Sequence, residues 1–173
     1  MDNYLDTMAQ LAGVMVGFAN LANAISKPNV HKKDFHVNKV RILLSTEMGL
    51  VTMLGCIAPH IPFSLGISEQ EAIKIISILM SLFMFAYCIL SLKRLQKLIG
   101  TSFPVPYISK ILSSFGFVNS IVVGLNGLGL FGEDKVIFVF YFVMFNALLT
   151  QAFLFTRLIG SILSNQDVDQ SSN

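Results

Sequence analysis

The sequence predicts an all-α, polytopic transmembrane helix bundle, and three observations carry that prediction. Five long apolar segments follow one another, at Tyr4–Ser26, Val40–Ile61, Ala72–Leu92, Tyr107–Phe131 and Val136–Ile159. Each is close to the ~20 residues that a helix needs to cross a ~30 Å hydrocarbon layer. Composition agrees: 54% of residues are hydrophobic and 13% charged, against roughly 45–50% and 25% in a soluble domain. The loops between the segments also alternate in charge, as loops on opposite sides of a membrane do. Lipid offers the backbone no hydrogen-bond partner, so helix is the expected form of each crossing.

The first segment is expected to remain in the protein. Asp2 and Asp6 stand at its N-terminal end with no Lys or Arg, the wrong charge for a signal peptide, and its apolar run exceeds the ~7–15 residues of a signal core. At about 100° per residue, Ala9, Gly13, Gly17, Asn20 and Ala24 share a narrow arc. Gly13 and Gly17 form a GxxxG, whose missing side chains let another backbone approach closely. This arc is the expected helix-packing seam, with its partner helix either in the same chain or in a second copy.

Lys27, Lys32, Lys33, Lys39 and Arg41 follow as a basic loop. Basic loops stay on the cytoplasmic side, so this one orients the chain; the same residues are a candidate patch for anionic lipid or a protein partner. His31 and His36 match no metal-ligand spacing and are expected to be solvated. The second segment aligns Ser45, Gly49, Thr52 and Cys56 on one face. Glu47 lies on another face, about 9 Å beyond Arg41 along the helix, and an ionisable residue at such depth is a functional candidate by default. Its proposed counter-charge is Arg157, at a similar level in the last segment. His60, between Pro59 and Pro62, marks the outer end.

The next loop holds Glu69 and Glu71 and no basic residue, and Lys74 then starts the third segment near the outer surface. That segment aligns Ser77, Ser81, Met84, Cys88 and Ser91. A second basic loop carries Lys93, Arg94, Lys97 and Lys110. The fourth segment aligns Ser109, Ser113, Gly116, Ser120, Gly124 and Gly127, flanked by Asn119 and Asn126. The fifth places Asn146, Thr150 and Arg157 on one face, and Phe138, Phe140, Tyr141, Phe142 and Phe145 in its outer half. Together the loops predict an N-out, C-in protein of about five crossings. The bundle is expected over residues 1–163, and a disordered polar cytoplasmic tail over 164–173.

Recognisable chemistry is sparse. The chain has no P-loop, HExxH, GxSxG or paired-cysteine motif, and Cys56 and Cys88 read as small apolar residues. No cofactor, metal or catalytic residue is expected, and an enzyme is disfavoured. A net charge of +2 is too small to suggest nucleic acid.

The stretch from Leu5 to Ala19, with Ala9, Leu11, Ala12, Gly13, Val14, Gly17 and Phe18 in an A-x-L-A-G-V-x-x-G-F pattern, resembles that of uncharacterised small bacterial integral membrane proteins. The likeness extends through the basic loop to Ile57-Ala58-Pro59, about the first half of the chain. It implies a bacterial inner (cytoplasmic) membrane protein and supplies no activity. The expected function is therefore that of an integral-membrane binding or scaffold subunit that self-associates or docks a partner. The alternative is a small oligomeric channel or transporter lined by the serine stripes or Glu47.

Overall fold

Proline divides the second apolar segment. In the computed structural model, which describes residues 3–25, 32–99 and 107–171, α1 spans Asn3–Ile25 and α2 spans Lys32–Ile57. Pro59 has no amide proton and disfavours helix at the residue before it. Accordingly α2 stops at Ile57, and a short α3 follows at His60–Ser64. α3 ends in a Schellman motif, the Ile67 N–H donating to the Pro62 carbonyl at 3.2 Å, with Gly66 at φ 86°. Ser68 then caps α4, Glu69–Ile99, through the Glu71 N–H and carboxylate. α5 runs over Tyr107–Gly127 and closes around Gly129 (φ 74°) in the same way, the Leu130 N–H donating to the Leu125 carbonyl. A single 3₁₀ turn, Glu133–Lys135, leads into α6, Val136–Ser171.

The described residues are helical and turn, with no strand. Among the described residues, three helical stretches are long and apolar enough to cross a membrane: Ile42–Ser64, Glu69–Lys93 and Glu133–Arg157. Several helices outrun their apolar segments. The basic stretch expected as a loop is helix from Lys32 onward, α4 continues past Leu92 to Ile99, and α6 continues through the stretch expected as a disordered tail to Ser171. The reason is physical. Hydropathy reports the thickness of the hydrocarbon layer, whereas a helix continues until something breaks it. Neither 32–41 nor 93–99 contains a Pro or Gly, and 158–171 contains only Gly160.

α6 is the central helix and touches α1, α2, α4 and α5. Paired positions give the directions. A Cβ on Gly13 would meet Met53, and one on Gly49 would meet both Val16 and Gln151. Gly55 faces Met144 and Met80; Gly116 faces Cys88, and Gly124 faces Ser81. α1, α4 and α6 therefore run one way, and α2 and α5 the other. The core they share includes Leu5, Val51, Ile73, Val123, Phe140 and Met144. Phe140 is thus the aromatic that turns inward, while Phe138 and Phe142 stack on each other at the exposed face.

Lipid tails are as apolar as leucine, so close approach and hydrogen bonds must hold these helices together. α4 and α5 show both. The Ser81 hydroxyl donates to the Ser120 carbonyl and the Ser120 hydroxyl donates back to the Ser81 carbonyl, each at 2.9 Å. A Cβ on Gly127 would lie 2.9 Å from both the Ile78 nitrogen and the Lys74 oxygen. Those are backbone atoms and cannot rotate aside. Gly127→Val is therefore expected to cost about 1–3 kcal/mol by overpacking, whereas Ser120→Ala should cost about 0.6 kcal/mol, the average for a membrane hydrogen bond. Thermal unfolding in detergent ranks the two, and a Ser120→Ala loss larger than that of Gly127→Val would contradict the assignment of close approach as the dominant contact.

Candidate functional site

Within the described residues, the small-residue stripes of α2, α4 and α5 face inward. Ser45, Gly49, Thr52 and Cys56 are buried on α2, and Ser77, Met84 and Cys88 on α4. Both cysteines are free. Thr52 returns its hydroxyl to the Met48 carbonyl, and Asn126 donates to the Val136 carbonyl at 2.9 Å and to Ser77 Oγ at 3.4 Å. These contacts knit α4, α5 and the start of α6.

Gln151, which carries no recognisable motif, proves the most deeply engaged polar side chain of α6. It is fully buried, and its Nε2 donates to the Ala12 carbonyl of α1 at 3.0 Å. Gly49 of α2 makes room for it, since a Cβ there would collide with Gln151 and Val16. One amide thus joins three helices. Its Oε1, like the Ser45 hydroxyl, is buried without a hydrogen-bond partner. The available signal was a neutral amide at the middle of an apolar run, but only the position of Gly49 across the interface gives it meaning.

The seam on α1 falls differently from its sequence arc. Leu5, Ala9, Ala12 and Ala19 are buried, which shares Ala9 with the predicted set. Gly13 sits at the edge, against Met53. At ~100° per residue, Gly17 is turned about a third of a revolution from Leu5; it is exposed, and a Cβ there would meet nothing within 4 Å. Asn20 is exposed and donates to its own helix at the Val16 carbonyl. The side chain of Ala24 lies outside the described residues.

Glu47 and Arg157 both occupy candidate spans and both are half-buried. Glu47 Oε2 accepts a hydrogen bond from the Tyr87 hydroxyl of α4 at 2.9 Å. Arg157 instead holds its guanidinium 5.9 Å from the centre of the Phe153 ring, a cation–π arrangement. No ion pair joins Glu47 to Arg157 among the described contacts. Tyrosine can answer the carboxyl where arginine does not because α2 packs against α4 at this level with the phenol in reach.

At the opposite end, His60 Nε2 lies 3.2 Å from Asp6 Oδ1, and Lys74 pairs with Glu133 at 2.8 Å. Lys32, Lys33, Lys39 and Arg41 stand on the first turns of α2, with their side chains, and all of Lys27, outside the described residues. Among the described residues, no group of three His, Cys, Asp or Glu side chains could hold a metal ion. The arrangement is one of interlocked helices and a carboxyl–phenol pair, with membrane-length apolar helices around them. Its class is that of all-helical bundles with helices long and apolar enough to cross a membrane. No family model, curated protein or solved structure matches the chain.

Proposed function

We propose that this chain is an integral inner-membrane subunit of a binding or scaffold type, one that self-associates or holds a partner in the bilayer. The observation that supports it is the use made of the polar and small residues. Ser81 and Ser120 bond each other's backbones, Gln151 bonds α1, and Asn126 bonds α6. Groups that would serve a hydrated path are spent on helix–helix contacts. The first-half resemblance to small bacterial membrane proteins supports the choice of membrane. Purified protein in vesicles should pass no ions or protons above empty vesicles, and should run as a discrete oligomer or complex by native mass spectrometry. The channel or transporter alternative draws on Glu47, the acid within the apolar part of α2; proton or ion flux that disappears in Glu47→Gln would replace the scaffold reading with it.

The proposed topology has five crossings, with the N-terminus outside and the C-terminus inside. α1 and α5 complete the three helices of sufficient length and apolarity, supported by the alternating directions of all five. In a background lacking Cys56 and Cys88, a cysteine at Ser68 should label from outside intact cells with an impermeant thiol reagent, and one at Ser102 should not. Equal labelling would sink the five-crossing arrangement.

A further inference from the structure

The helix directions sort charge to the two ends of the bundle. The start of α2, the end of α4, the start of α5 and the distal part of α6 share one end. Among the described residues these stretches carry nine Lys or Arg and three Asp. The other end carries two Lys against five Asp or Glu. Loop charge alone puts both basic stretches on one side, and the helix directions bring them to the same end.

Their height above the apolar spans decides what they meet. The apolar segments of the sequence end at Val40, Leu92 and Ile159. Along a helix rising 1.5 Å per residue, Lys39, Arg41, Arg94 and Lys97 therefore stand within about 8 Å of those limits. A headgroup layer is about 5–8 Å deep on each side of the hydrocarbon. Most of these positions thus stand at the level of lipid phosphates, on continuous helix instead of a loop. Lys32 and Lys33 rise higher, about 12 Å beyond Val40.

We infer that this end of the bundle is a docking surface for anionic phospholipid headgroups. The charge is complementary, and the depth favours lipid phosphate over a soluble acidic protein, which would meet chiefly Lys32 and Lys33. The inference goes beyond the scaffold reading and does not depend on it: lipid preference and oligomer formation are separate measurements.

The test uses the full chain in nanodiscs of mixed phosphatidylcholine and phosphatidylglycerol, with retained lipids counted by native mass spectrometry. Phosphatidylglycerol should be enriched on the wild-type protein. The enrichment should collapse as salt rises from about 0.1 M to about 1 M, which shortens the screening length from about 10 Å to about 3 Å. Each of Lys39→Gln, Arg94→Gln and Lys97→Gln should lower the preference by about fivefold, while Lys135→Gln at the other end should leave it unchanged. The wild-type salt series stands without any variant, so a variant that fails to insert does not remove the test. Absence of enrichment on the wild type, or enrichment indifferent to salt, overturns the inference. Salt-sensitive binding of polyglutamate in pure phosphatidylcholine discs, without phosphatidylglycerol enrichment, would assign the surface to an acidic protein instead.

Discussion

Gly49→Leu is expected to unfold or disperse the bundle, and Gly17→Leu to leave it intact. At Gly49 even a Cβ collides with Val16 and Gln151. Neither neighbour can give way cheaply. Val16 is β-branched, with one strongly preferred rotamer in a helix, and Gln151 is anchored on the Ala12 carbonyl. Gly49→Ala should therefore already cost about 1–3 kcal/mol, and leucine, with three more carbons, should cost more. The variant should lose monodispersity in detergent and unfold at lower temperature. Gly17→Leu places its side chain on an exposed face and should match wild type in the single-chain unfolding transition. The GxxxG alone would rank these two the other way. If Gly17→Leu proves the more damaging, α1 uses the Gly17–Asn20 side against a second copy, and native mass spectrometry would show that loss as a fall in oligomer.

The next largest effect belongs to the carboxyl–phenol contact. Tyr87→Phe withdraws from Glu47 the hydrogen bond that α4 supplies, and an intramolecular hydrogen bond contributes about 0.5–1.5 kcal/mol. Glu47→Ala and Tyr87→Phe should be non-additive, with a coupling of about 0.5–3 kcal/mol. Glu47→Ala and Arg157→Ala should instead add within about 0.5 kcal/mol, because the guanidinium rests on Phe153. Both cycles are read as thermal stability in one detergent. A larger coupling to Arg157 than to Tyr87 would restore the ion pair that helix depth alone suggested.

Depth misled there for a definable reason. Counting residues along α2 and α6 places Glu47 and Arg157 at similar heights but says nothing about the roll of either helix, and hydrogen bonds depend on roll. The same lack explains α1. Its arc of small residues was legible, yet the buried line runs through Leu5, Ala12 and Ala19 as well as Ala9, because α1 meets side chains from α2 and α6 rather than another glycine surface. Gln151 was invisible for the opposite reason: its environment consists of a missing side chain on one helix and a carbonyl on another.

What the sequence by itself determined is local. Apolar run lengths mark helices of membrane span, Pro59 stops α2, Ser68 and Glu71 start α4, and Gly66 and Gly129 close the turns. Serine, glycine and cysteine at helical spacing identify the inward faces of α2, α4 and α5. Each follows from steric and solvation rules acting within a few residues of one another. Only the tertiary structure decided which stripe meets which and how far helix persists beyond the apolar limits. Those outcomes depend on contacts between residues as distant as Ala12 and Gln151, where order, direction and roll of all the helices must be satisfied together.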